Sequence, residues 1–260
     1  MKTILAIAGL DPSGGAGIHA DIKTIEAHGY HSASIITAVT FQNTCKIYGL
    51  SPIPAGILER TLSAVFDDLN IAGVKIGLIV TKECAEVIRR KIKDLDAPKV
   101  LDPVFESTTG FKMSKKEIYE TLISECTVIT PNIQEASLIS GINVKNVEDA
   151  IEASEIIAKN YGCSVVITGG HLNGSDVIYD ARKNRKIVLQ GKILVKGELH
   201  GTGCIYSSSL TCNLAEGLEL IEACKCAKEY LEKLLKNPIS VGKCLKILRP
   251  SFYGVKNLDL

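Results

Sequence analysis

The chain has 260 residues, enough to bury a substantial core, and single α/β domains commonly reach this length. Its 46% hydrophobic and 23% charged residues lie close to the globular average, which excludes a disordered or fibrous class. With 30 basic against 29 acidic residues the formal charge is +1, so no broad field draws nucleic acid or an anionic membrane, and an anionic ligand has to be held by local geometry.

Met1-Lys2-Thr3 followed by Ile4 to Ala8 has the cation and apolar stretch of a secretory signal, but Asp11 interrupts it and no small-residue cleavage site follows in register. It reads as a buried first strand, and a cytoplasmic location is expected. No apolar run approaches the roughly 18 residues of a membrane span. Thr3 to Gly9 is a short apolar strand, Asp11 to Gly17 a glycine-rich loop, and Ile18, Ile22, Ile25 and Ala27 mark a helix. Ser32 to Thr40, rich in β-branched residues, is a strand, and 54–69 has helical spacing.

Strands near 74–79, 100–101, 128–130 and 164–168 then alternate with helices over 82–93, 115–124, 133–139 and 147–161. This alternation predicts an α/β fold with a mostly parallel central sheet and helices on both faces. Asp176 to Asp180 and Lys186 to Lys196, joined by the polar turn 182–185, form an expected antiparallel hairpin. Helices over 203–216 and 220–235 and a tail beyond Pro238 close the chain. No repeat or linker divides it, so 1–260 reads as a single domain.

Nine cysteines without C-x-x-C pairs argue against a zinc framework. Disulfides are not expected in a leaderless chain of this size, and most of the thiols read as small buried hydrophobes.

Ligands of open α/β sheets settle outside the carboxyl ends of the strands, which directs attention to the loops there. In His200-Gly201-Thr202-Gly203-Cys204, directly before a helix, the backbone N–H groups of Gly201, Thr202 and Gly203 can converge on an anion such as a transferring phosphoryl group. The same field is expected to favour thiolate at Cys204, a candidate general base; a glycine turn before a helix with a buried cysteine is the plainer alternative. The chain has no P-loop G-x-x-x-x-G-K-[ST], and Gly9 to Gly17 does not match G-x-G-x-x-G.

Asp11 either holds a substrate hydroxyl or simply forms a turn with Pro12. Asn132 and Glu135 lie one helical turn apart after Thr130-Pro131; they either cap that helix or, with Asp102 as second acid, address a nucleotide and Mg²⁺. Gln42 and Asn43 can offer donor and acceptor to a heteroaromatic edge, or belong to an ordinary polar loop. His171 is an acid–base candidate or a structural loop residue, and His19, His28 and His31 read as helix-surface or turn residues. The segments 44–54 and 108–114 are candidate lids.

Together these segments resemble the hydroxymethylpyrimidine/phosphomethylpyrimidine kinases of the ribokinase-like superfamily. The resemblance rests on Leu10 to Ile18 with Ala20 to Thr24, Thr37 to Thr40 with Gln42-Asn43-Thr44, and His200 to Cys204. Lys75-Ile76-Gly77, Asp102-Pro103-Val104, Thr130-Pro131-Asn132 with Glu135-Ala136, and Gly169-Gly170-His171 add to it. It implies a ribokinase-like fold, ATP and Mg²⁺ as cofactors, and phosphorylation of 4-amino-5-hydroxymethyl-2-methylpyrimidine and then of its monophosphate in thiamin synthesis.

By the same resemblance Gly9, Asp11, Ala16, Gln42, Leu78 and Val104 bind the pyrimidine. Asn132, Thr168 and Gly170 fall on the nucleotide side, Asp102 and Glu135 on the metal. Gly201, Thr202, Gly203 and Cys204 are catalytic, Cys204 taking the substrate proton, and a homodimer is implied. Thr168 stands where the family commonly has lysine, Glu106 is unusually acidic for its loop, and Leu199 replaces a commoner polar residue. Phosphate neutralisation is therefore expected to use another cation. A pyridoxal kinase, or a non-catalytic pyrimidine-binding sensor, are the alternative readings.

Overall fold

The computed structural model describes residues 1–170, 172–191 and 199–250. Its centre is β1 (Thr3–Leu10), where Ile4, Leu5, Ala6 and Ile7 are all fully buried. A strand covered on both faces needs a continuous apolar run, and β1 has one. Alternate residues serve opposite cores: Leu5 and Ile7 join one cluster, Ile4, Ala6 and Ala8 the other.

Around β1 stand β2 (His31–Gln42), β3 (Ile47–Pro52), β4 (Ile71–Ile76), β5 (Lys99–Leu101), β6 (Val128–Ile129), β7 (Ser164–Ile167), β8 (Asp176–Asp180) and β9 (Arg185–Leu189). They form one nine-stranded sheet in the order β3-β2-β1-β4-β5-β6-β7-β8-β9. Pairing is parallel from β2 to β7 and antiparallel at β2–β3, β7–β8 and β8–β9. The expected hairpin is the β8–β9 pair. Of its second expected strand, residues 192–196 lie outside the described residues, as does His171.

One face packs against α2 (Ala55–Asp68), α3 (Lys82–Ile92), α4 (Lys116–Ile123), α5 (Ile133–Ser140) and α6 (Val147–Tyr161). The other carries α1 (Gly17–Ala27), α7 (Thr202–Ala215) and α8 (Leu220–Leu235). Helix α7 is buried from Ile205 through Cys212, and its serine and threonine side chains there are satisfied inside, Ser208 donating to Asp21 at 2.8 Å and Thr211 to the Ser207 carbonyl at 2.8 Å, while the Tyr206 hydroxyl has no hydrogen-bond partner among the described residues. Among the described residues no helix is long and apolar enough to cross a membrane.

Three features depart from the sequence reading. The segment 44–54, read as a lid, contains β3, an edge strand whose residues lean on the extended end of β2; its own apolar pattern is too weak to announce it. The tail beyond Pro238 contributes β11 (Lys246–Ile247), which pairs in parallel with β10 (Leu199–His200). The expectation of no disulfide is corrected: Cys45, at the β2–β3 turn, is bonded to Cys244, with Cα atoms 4.9 Å apart and a sequence separation of 199. Only the folded path of the tail brings them together, and Leu245 N–H donates to the Thr44 carbonyl beside the bridge at 3.0 Å. Of the remaining cysteines, Cys84, Cys126, Cys163, Cys212 and Cys224 are buried, as small hydrophobes should be.

Candidate active site

A cleft of about 680 Å³ opens over the carboxyl ends of the parallel strands and is lined by every candidate site residue named above apart from Asn43 and the undescribed His171. Asn43 turns into its own loop instead, accepting from the N–H groups of Cys45 and Lys46 at 2.8 and 3.1 Å.

At one end Asp11 is buried beneath the glycine loop. Its Oδ1 accepts from Ser13 N (2.8 Å), Ser13 Oγ (2.7 Å) and Gln42 Nε2 (2.6 Å); its Oδ2 accepts from Gly15 N (3.1 Å), Ala16 N (2.8 Å) and His200 Nε2 (2.9 Å). Burial pushes this carboxyl up, but the hydrogen bonds from His200 and Ser13, the His200 charge and the Ala16 N–H outweigh it, and the group lies below its ordinary range. With its lone pairs so occupied, Asp11 is an organiser of the loop. That is the turn-forming alternative, elaborated. Gln42 is oriented through it: one amide hydrogen goes to Asp11, while Oε1 accepts from Thr40 Oγ1 at 2.9 Å. The same amide nitrogen lies 3.3 Å from His200 Nε2, and the second lone pair of Oε1 stays available to a ligand edge.

The loop approaches the start of α7 closely. Gly17 has φ +54 and a Cβ there would strike the Gly9 carbonyl; Gly201 has φ +84 and a Cβ there would strike the Gly15 carbonyl. Only glycine serves at either place. Gly201 caps α7 without any side-chain hydrogen bond, so the N–H groups of the first turn are open to an anion.

Cys204 is half-buried beside them, and here a second expectation is corrected. Burial pushes its thiol above the ordinary value; Lys75 pulls it down, but Asp102 and Asp21 push it further up, so the resting group is a thiol. Lys75 itself, fully buried at the end of β4, lies 2.9 Å from Asp21 and 3.6 Å from Asp102. Burial would lower its pKa, yet Asp21 in the first place, with Cys204 and Asp102, raises it and keeps the ammonium charged.

At the other end Asn132 and Glu135 make a full capping box on α5: Asn132 Oδ1 accepts from Gln134 N and Glu135 N, and Glu135 accepts from Asn132 N at 2.8 Å. The capping alternative is therefore realised, and both residues still line the cleft. Burial and then the Asp102 charge push the Glu135 carboxyl well up. Two buried carboxylates lining one cleft fit a divalent cation shared with a ligand's phosphates. Among the described residues no group of three or more acidic, histidine or cysteine side chains forms a ready metal cage.

Thr168 bridges to Asn132 at the end of β7. The lysines among the described lining residues are Lys75 and Lys228, and Lys228 is held by Asp176 at 2.9 Å and the Gly174 carbonyl at 2.6 Å. The loop reading did not single out Lys75, Asp21, Thr40 or Lys228. Lys75 carried a visible signal, since a lysine inside an apolar strand has to find a buried partner.

A glycine loop facing an uncapped helix start, over the carboxyl ends of a largely parallel sheet, defines a small-molecule kinase of the ribokinase-like class. The chain belongs to the phosphomethylpyrimidine kinase family, whose model matches residues 11–248. It is 39% identical over 252 residues to a hydroxymethylpyrimidine/phosphomethylpyrimidine kinase of Aquifex aeolicus, covering 94% of this chain and 98% of that protein. Among solved structures, the ADP complex of Bacillus subtilis pyridoxal kinase is similar with a TM-score of 0.87 and 32% identity, over 96% of this chain and 98% of that one. Phosphomethylpyrimidine kinase from Clostridium difficile 630 has a TM-score of 0.77 and 35% identity, over 90% and 99%.

Proposed function

We propose that residues 1–260 act as one kinase domain that phosphorylates 4-amino-5-hydroxymethyl-2-methylpyrimidine at its hydroxymethyl oxygen, and then its monophosphate to the diphosphate, in thiamin biosynthesis. The observation that carries this reading is the convergence, in one cleft, of an amide edge fixed at Gln42, a thiol at Cys204 and the open first turn of α7. Family membership supports it.

Gln42 reads the ring, while Leu78 and Val104 supply apolar contact and Gly9 and Ala16 leave room for it. Bound MgATP supplies the phosphoryl group and neutralising charge. Asp102 and Glu135 would hold the cation, and Asn132, Thr168 and Gly170 line the nucleotide side. The open N–H groups around Gly201, Thr202 and Gly203 stabilise charge on the phosphoryl oxygens, and Cys204 Sγ takes the proton of the attacking hydroxyl. Because the resting group is a thiol, turnover draws on its minor thiolate fraction.

The protein is also proposed to be cytoplasmic and a homodimer. The second point is supported by the family resemblance and by exposed Phe41 and Tyr48 on the β2–β3 edge; sedimentation velocity reads it directly.

A coupled ADP-release assay over hydroxymethyl heterocycles tests the activity: ADP should form only with the pyrimidine, Mg²⁺ and ATP together. Binding of the pyrimidine without any ADP would establish a sensor instead. The likeness to a pyridoxal kinase favours pyridoxal as a second substrate, and side-by-side kcat/KM values decide, a tenfold preference being about 1.4 kcal/mol.

A further inference from the structure

Tyr119 belongs to α4 in the outer helical layer, yet its side chain is fully buried and its hydroxyl reaches the strand ends beneath the cleft. There the N–H groups of Ile79 and Val104 donate to the phenolic oxygen at 3.1 and 3.2 Å. Its own hydrogen has the carbonyls of Gly77 and Val104 within reach, at 3.3 and 3.2 Å.

One oxygen therefore joins the loop that leaves β4 to the loop that leaves β5. Regular pairing has just ended at both places: Gly77 N–H still donates to Ile7 and Asp102 N–H to Ile76, and beyond them the phenol stands in for a ladder partner. Without it the buried Ile79 N–H and the part-buried Val104 N–H would lose their acceptor. The ring is held edge-on against Phe105, with centroids 5.3 Å apart. Burial dominates in pushing the phenol's pKa up, so it remains a donor. A phenylalanine would fill the same apolar space, which makes the hydroxyl the informative atom.

The two loops carry Leu78 and Val104, two apolar residues that line the cleft, and Asp102; Tyr119 does not itself line it. We infer that Tyr119 is a positioning residue whose hydroxyl sets the spacing of the Leu78 and Val104 loops, and so the width of the slot for a flat heterocycle. The inference rests on the pyrimidine-kinase reading.

Tyr119→Phe removes that oxygen alone. The expected result is a rise of about tenfold in KM for the pyrimidine, with KM for ATP and kcat changed by less than about twofold, since a displacement of a fraction of an ångström is felt chiefly by the group packed in the slot. A variant with a lower melting temperature but an unchanged pyrimidine KM would show that the hydroxyl only supports stability, and would overturn the inference. A wild type that releases no ADP with the pyrimidine would refute the substrate assignment, and this inference with it. Hydrogen exchange on the wild type covers the case in which the variant does not fold. The Ile79 and Val104 amides should gain protection together when pyrimidine is added and not when nucleotide is added; unchanged protection overturns the proposal.

Discussion

The two ends of the cleft are built on different plans. At the Asp11 end one carboxylate takes six donors and orients both Gln42 and His200, leaving the buried His200 Nδ1 without a partner among the described residues. At the Glu135 end two buried carboxylates, Asp102 and Glu135, line the cleft; Lys75 is shared between Asp21 and Asp102, and Lys228 is held by Asp176. The first arrangement can read a small uncharged ring with little reorganisation; the second is completed by charge that a ligand brings with it. Cys204 stands between them.

The sharpest way to break this division is at the junction. Cys204→Ala should lower kcat by about 10²–10⁴ while leaving both KM values near wild type, as expected for loss of a positioned base. Steady-state kinetics with both substrates checks it, and near-normal kcat would remove Cys204 from the mechanism.

Next in size is Asp11→Asn. The new amide turns a donor toward donors, so the pyrimidine KM should rise by about 10² while that for ATP changes little, with a stability loss of about 2–3 kcal/mol. The sign in pH follows from the depressed carboxyl: its contribution is fully present above the ordinary value of 3.8 and is lost as pH falls toward the folded value. Denaturant titrations of wild type and variant should therefore converge in acid.

The pH–rate profile sharpens the account of Cys204. A thiol pushed up by burial is mostly protonated at neutral pH, so kcat should keep climbing, about tenfold per unit, past the ordinary thiol value instead of levelling below it. A plateau near pH 7 would mean that a preformed thiolate does the work.

The smallest effect concerns the Asp11 end again. The Cys45–Cys244 bridge ties the β2–β3 turn near Gln42 to the tail that pairs with the His200 strand. Reduction by a dithiol, two electrons and two protons giving two thiols, should raise the pyrimidine KM about threefold and leave kcat alone. Cys45→Ser should carry the same KM and ignore the dithiol.

The strand β1 is visible in the chain as an apolar run, β4 as one interrupted by Lys75, and α6 and α8 have the residues their spacing predicts, because burial on a sheet demands a local pattern. The edge strand β3 lacked such a pattern and took its order from β2. Asp11, Gln42 and the start of α7 could be placed together because loops after parallel strands share one side of a sheet. That Asp11 is consumed by its own neighbours could not be read there, since its sixth donor, His200, comes from 189 residues away.

The order of elements, the loops that bear chemistry and the likeness to a kinase family were properties of the linear chain, since periodicity and short motifs act over a few residues. Protonation of Cys204, the commitments of Asp11, Lys75 and Lys228, and the bond between Cys45 and Cys244 were decided only by the tertiary structure. Desolvation and pairing depend on which distant groups are brought within a few ångströms, and no local pattern encodes that.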